Sequence, residues 1–301
     1  FTVTYGFRAE APTTLPEDAT GFTRFNTNQI TTAELVLKGW SDAANITFVR
    51  VGAGASGEAA YSNSATILFS NYSGGIEGAS AFSFFPGATN FSSRAGDVWV
   101  YSGSGYNLNP TIGNYGGSVL VHELGHAIGL AHPSDYDASD ETSPTYSSSA
   151  DYAENSRQYT VMSYFSERNT GGSFGGVYSA APMLGDIAAA QLEYGPNIST
   201  RLGDTTYGFN SNAQRPWFEA TSGGSRMVFA VWDAGGSDTF DFSGFSHNQL
   251  IDLRAGYFSS VGGLTGNVAV AVGAVIENAI GGSGSDQITG NSVANNIAAG
   301  L

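Results

Sequence analysis

No cysteine occurs in the 301 residues, so neither disulfides nor thiolate metal sites are available. Lys38 is the only lysine, and the basic total of 11 faces 26 acidic residues, a formal charge of −15. That balance argues against nucleic acid or an anionic membrane surface as a partner and is compatible with bound cations. No apolar run approaches the roughly 18 to 20 residues that cross a bilayer. No charged-then-apolar segment opens the chain either. What is present is globular in composition, with 41% apolar and 13% aromatic residues, and the length suggests two domains.

The order of patterns supports that division. "TTAELVLKGWSDAANITFVRV" (31–51) puts Leu35, Leu37, Trp40 and Ala44 roughly on one helical face before a strand from Ile46 to Val51. "SATILFSNY" (64–72) and "GDVWVYS" (96–102) are β-rich, and "ASAFSFFPG" (79–87) alternates like a core strand. Helices are expected at 117–129 and 181–195, with Asp186 as an N-cap or first-turn acid of the second. After Pro196 helix signals nearly vanish, and short strands alternate with Gly, Asn, Asp and Ser turns. A boundary is therefore expected near 196–200, giving domains 1–196 and 197–301.

Two motifs carry chemistry. Residues 281–289, "GGSGSDQIT", fit the calcium-binding nonapeptide G-G-x-G-x-D-x-U-x, with Gly282, Gly284 and Asp286 as oxygen donors. The next nine residues keep the period, with Asn295 in the place of Asp286. The other motif is "VHELGHAIGLAHP" (121–133), which holds three of only four histidines. His122 and His126 are one turn apart on a helix face, a spacing that suits two ligands of one Zn²⁺. Gly129 can stop the helix in a left-handed conformation and turn His132 back towards the same metal. Three imidazoles leave an open coordination position, the pattern of a catalytic zinc that activates water, and Glu123 stands as general base. His247 lies outside every motif and reads as a surface residue.

"HELGHAIGLAH" followed by "VMSY" resembles the metzincin zinc endopeptidases, and Pro133, "YTVMSYF" and "APMLGDIAAAQLEYG" point to the serralysin family among them. The match continues through "TRLGDTTYGFNS", "VWDAGGSDTFDFSGFS" and "IENAIGGSGSD". This resemblance implies an α+β fold: a metzincin catalytic domain with a twisted mixed sheet and a zinc cleft, then an all-β, calcium-binding parallel β-roll. It implies that Tyr164 is a further zinc ligand at rest and a transition-state stabiliser in the reaction. It makes Met162 the hydrophobic floor of the site and about 79–85, with Ala81, Phe82 and Ser83, the edge strand that pairs with substrate. It carries over calcium positions at Arg201, Gly203, Thr205, Asp233, Gly235, Gly236, Asp238, Val275 and Glu277, Val275 standing where the family usually has Thr. One catalytic zinc and several structural calcium ions are expected, with protein or peptide substrates, a proteinaceous inhibitor as a further partner, and a monomer. Secretion to the cell exterior or surface by type I export is expected as well. Family members also have a propeptide, a further amino-terminal helix, more nonapeptides and an export signal, so the native gene product is expected to be longer.

Two other readings stand beside a secreted endopeptidase. One is a calcium-dependent binding or surface-attachment module with a vestigial zinc site, against which the intact Glu123 and Tyr164 speak. The other is a zinc hydrolase acting on a non-peptide substrate, which the ligand set alone leaves open.

Overall fold

Ala33, Val36, Leu37 and Trp40 recur at spacings of three and four and are all buried along helix α1 (Thr27–Ala43). The sequence reading put Leu35 on that face. Two positions from Leu37 place it about 200° away, so it is only partly buried and Val36 takes the inward place. The computed structural model describes residues 1–300 except 53, 55, 56, 77, 88–95, 139 and 141. The chain forms two compact units, Phe1–Ser41 with Ile46–Asp151, and Asp42–Asn45 with Tyr152–Leu301. The change of texture read near residue 196 lies inside the second unit.

The first unit is built on a five-stranded sheet of β1 (Thr2–Phe7), β2 (Thr47–Arg50), β3 (Ile67–Tyr72), β4 (Ala81–Ser83) and β5 (Val98–Tyr101), in the order β2-β1-β3-β5-β4. Four strands run parallel and β4 runs antiparallel to β5. All six residues of β3 are buried, as a strand covered on both faces requires. Its one amide, Asn71, exchanges reciprocal hydrogen bonds of 2.8 and 3.1 Å with Gln29 at the start of α1. Phe7, Phe25 and Phe69 pack with ring centroids 5.5 to 5.8 Å apart.

The run at 79–87 is not the core strand that its alternation suggests. It contributes only the three-residue β4 at the sheet edge, and all three residues are half-buried. Phe82 stacks on Trp99 at 6.3 Å and 7°, and Phe84 packs against the same core cluster. Beyond β5 lie α2 (Gly105–Leu108), the motif helix α3 (Tyr115–Ala127) and α4 (Tyr146–Ser149).

The second unit holds α5 (Leu184–Tyr194) and strands of two or three residues. They are β6 (Thr206–Gly208), β7 (Phe229–Val231), β8 (Thr239–Asp241), β9 (Leu250–Asp252), β10 (Phe258–Ser259), β11 (Val268–Val270), β12 (Asn278–Ile280), β13 (Gln287–Thr289) and β14 (Asn296–Ala298). β12 pairs in parallel with β8 and β14, and Asn278 lies opposite Asn296, two nonapeptides further on. β13, the strand between them in sequence, pairs in parallel with β9 in a different sheet. Strands at a nine-residue period thus alternate between two sheets. Among the described residues no helix is long and apolar enough to cross a membrane.

Candidate metal centre

Asn114 caps α3, its side-chain oxygen accepting from Gly117 N at 2.8 Å. Val121 and Leu124 are fully buried, and this packing fixes which face the motif presents. The helix ends where the sequence reading placed its stop. Gly129 has φ +105°, its N–H donates to the His126 carbonyl and Leu130 N–H donates back to the Gly125 carbonyl, both at 2.9 Å. That pair of bonds is the glycine-terminated helix end in which a left-handed residue reverses the chain. The reversal delivers His132.

The Nε2 atoms of His122, His126 and His132 form a triangle with sides of 3.1 Å. They cannot all be hydrogen bonds. Nδ1–H of His126 donates to the Leu130 carbonyl and Nδ1–H of His132 to the Tyr136 carbonyl, each at 2.7 Å, so both Nε2 atoms carry lone pairs. Burial pushes the His126 imidazole down to about 4, with the His132 charge a second cause, and burial lowers His132 too. Protonation therefore does not resolve the contact. A cation does: nitrogens about 2.0 to 2.1 Å from one zinc ion stand roughly this far apart. Among the described residues this trio is the only group of three His, Asp or Glu side chains whose ligand atoms converge.

Glu123 is buried beside the trio and points to the sheet edge, where Ser83 Oγ donates to its carboxylate at 2.8 Å and also approaches its carbonyl at 2.9 Å. Burial raises the Glu123 carboxyl to about 7, and the Ser83 hydrogen bond opposes the shift. Ser83 was expected only as part of a substrate-pairing strand, and no sequence spacing links it to Glu123. Ala81 and Phe82 precede it on β4, and Phe85 stacks edge-to-face on His126 at 5.6 Å. Tyr136, whose ring stacks on His132 at 5.3 Å, carried no sequence signal either.

Met162 and Tyr164 belong to the second unit. Met162 is buried and Tyr164 is partly exposed. The turn that bears them hangs on Asp186, a first-turn residue of α5 as expected. Its buried carboxylate accepts from Thr160 Oγ1 at 2.6 Å, Val161 N at 2.8 Å and Met183 N at 2.8 Å.

The expected calcium positions fall into two places in the second unit. In one, Asp238 accepts from Thr205 N at 2.7 Å and its N–H donates to Glu277 at 2.8 Å, while Asp233 accepts from Tyr207 and Gly235. The Thr205 hydroxyl donates to the Gly203 carbonyl, and a Cβ on Gly236 would stand 2.6 Å from that oxygen. Asp238 Oδ2 is buried with no hydrogen bond. Burial raises both aspartates, and their mutual repulsion raises Asp238 further. Arg201 sends its side chain to Asp42 and the Trp232 carbonyl, and Val275 is partly exposed. In the other place, Asp286 accepts from Gly282 N and Gln249 N, and Gly284 abuts the His247 carbonyl. Asn295 repeats this geometry one nonapeptide on, accepting from Asn291 N at 2.9 Å. His247 is exposed.

The chain is similar to known proteins in both of its units. The family model for the Peptidase M10 serralysin C terminal matches residues 196–298. Metallopeptidase AprA of Pseudomonas marginalis is 46% identical over 302 residues, covering 98% of this chain and 61% of that protein. Serralysin G of Dickeya chrysanthemi is 47% identical over 98% of this chain and 60% of its own length. Serralysin of Photorhabdus luminescens is 45% identical over 99% and 59%. The chain is similar to serralysins along nearly its whole length. It spans about three fifths of the length of these curated relatives. Its serralysin resemblance embraces both units, since the aligned segments run nearly from end to end. The family match, which opens at residue 196, coincides with the change from helix to short strands.

Proposed function

We propose that the chain is the zinc endopeptidase portion of a secreted serralysin, with protein or peptide substrates. The observation that carries this is the three-nitrogen triangle with two Nε2 lone pairs fixed towards one point and a buried glutamate alongside. Zinc, when held by His122, His126 and His132, supplies Lewis acidity and an open coordination position. Glu123 takes a proton from the attacking water and returns it to the leaving amine, a task for which a carboxyl raised towards neutral pH is suited. Ser83 orients that carboxylate from the sheet edge. β4, whose only strand partner among the described residues is β5, offers its free edge to an extended peptide by strand addition. By the family resemblance, Tyr164 would be a further zinc ligand at rest and a stabiliser of the transition state, and Met162 the apolar floor.

On this reading residues 1–196 are the catalytic domain and 197–301 a calcium-binding β-roll. The alternation of nine-residue-spaced strands between two sheets supports the roll. Calcium at Asp233, Asp238 and Glu277 would satisfy the orphaned Asp238 oxygen and relieve the repulsion there. The surface-attachment alternative leaves the hydrogen-bonded, buried Glu123 without a purpose.

The test is cleavage of an unfolded protein by the zinc-loaded chain and by Glu123→Ala. The variant is expected to keep zinc and lose about two to four orders of magnitude in kcat. Undiminished cleavage by a zinc-containing variant would sink the mechanism.

A further inference from the structure

The two residues after Tyr115 are glycines in the first turn of α3, a placement that costs each about 1 kcal/mol relative to alanine. Their function is close approach. A Cβ on Gly116 would lie 2.0 Å from the Tyr106 carbonyl, and one on Gly117 would lie 2.3 Å from the Thr111 carbonyl. The glycines let α2 and the loop after it lie directly against the start of α3. This brings the Tyr106 and Tyr115 rings together, edge to face, with centroids 5.2 Å apart and planes at 73°. Both residues remain 38% exposed. The Tyr106 hydroxyl meets Ser80 Oγ at 3.1 Å, and the Asn107 amide donates to the Ser80 carbonyl at 2.9 Å, so the pair closes the leading end of β4.

Three contacts then mark positions along one line of chain. Phe85 touches His126, Ser83 touches Glu123 and Ser80 touches Tyr106. At about 3.3 Å per residue, the tyrosine pair lies about three residues from Glu123 along the edge strand. A peptide added antiparallel to β4, the stronger pairing, passes the histidines first and Ser80 afterwards. Its residues beyond the cleaved bond, on the carboxyl side, run towards the tyrosines.

We propose that Tyr106 and Tyr115 form an extended-substrate subsite that takes a large apolar or aromatic side chain about three residues to the carboxyl side of the cleaved bond. The assignment rests on the endopeptidase reading above. Two tyrosines suit the task, because their stiff rings offer wide apolar area at little entropic cost while their hydroxyls stay wet.

The experiment measures equilibrium binding of fluorescein-labelled octapeptides to the zinc-loaded Glu123→Ala chain. The peptides are identical except for Phe, Gly or Arg at the third residue beyond the target bond. Phe is expected to bind about fivefold to tenfold tighter than Gly. In Tyr106→Ala and in Tyr115→Ala that ratio should fall close to one, and Tyr115→Phe should restore it. Tyr115→Glu, a first-turn acid compatible with the helix N-terminus, should switch the preference from Phe to Arg, which gives a second reading if an alanine variant fails to fold. Equal binding of Phe and Gly, or a Phe preference that survives these substitutions, overturns the subsite. Cleavage by the chain with Glu123 intact is scored separately. Absence of zinc-dependent cleavage with the preference intact refutes the endopeptidase reading and leaves peptide recognition at the pair.

Discussion

Glu123 is the residue at which folding and chemistry pull in opposite directions. Its carboxyl sits well above 4.5, at about 7, because burial penalises the charge more than the Ser83 hydroxyl stabilises it. The sign of the linkage follows. A carboxyl whose folded pKa is raised contributes its stability fully below the unfolded value and loses it as pH rises through about 7. The metal-free chain should therefore weaken between about pH 4.5 and 8, and Glu123→Gln should remove that slope. At pH 8 the substitution is expected to stabilise the metal-free protein by up to about 3 kcal/mol. A zinc ion nearby reverses the argument, since a positive charge draws the carboxyl back down and favours the ionised base. Denaturation of both proteins across this range, with and without zinc, checks the point. Parallel curves for the two metal-free proteins would show that the charge on Glu123 is not what the fold resists. At this scale the sequence was informative about identities and silent about tuning. The motif spacing named three ligands and a base, but the Ser83 and Tyr136 contacts come from segments 40 residues before Glu123 and just after His132, where no periodicity marks them.

Among the elements, the helix stop at Gly129 is as important to the site as the helix. φ of +105° is open to glycine and strained for other residues, and the reversal it permits places both the Leu130 carbonyl against His126 and the chain on course for His132. Gly129→Ala is expected to cost about 1–2 kcal/mol of stability and at least tenfold in zinc affinity. Gly171→Ala is the control, since Gly171 also has positive φ, at +91°, but ends a short helix in the second unit with open space around it. It should lower stability similarly and leave zinc affinity alone. Equal loss of zinc affinity in the two variants would reduce the Gly129 effect to general destabilisation. The elements themselves were mostly legible. α1, α3 and α5 were read within a few residues, because their apolar spacing and their caps or stops agree. The edge role of β4 came from the family resemblance and not from the residue pattern, because alternating Phe looks the same in a core strand and in an edge strand anchored by its rings. The bridge from Asp186 to the 160–162 turn was not legible, since a first-turn acid that caps its own helix gives no sign of a second set of donors.

Over the whole molecule, the sequence announces a charge of −15 without saying where the repulsion is concentrated. The structure locates part of it in the second unit, where Asp233 and Asp238 are both raised by burial, and where the charges of Asp233 and Glu277 add to the shift of Asp238. A buried carboxylate oxygen with no donor is costly in any fold, by about 1–3 kcal/mol, and the −15 background offers few cations in the chain to offset it. An external divalent ion answers both problems at once, and oxygen donors on Gly-rich turns are the ligands calcium accepts. If calcium binds these groups in the folded chain and not in the unfolded one, it should stabilise folding by mass action, by about 2.7 kcal/mol per site at a hundredfold excess over Kd. Melting should therefore move to higher temperature with millimolar calcium and fall back with a chelator. Asp238→Asn, which keeps the shape and removes one charge, should make the chain more stable without calcium and less responsive to it. Hydrogen exchange should put the calcium-dependent protection in the strands between residues 206 and 298, not in the sheet of the first unit. A midpoint indifferent to calcium, or protection spread evenly over both units, would mean that the clustered aspartates form turns and nothing more.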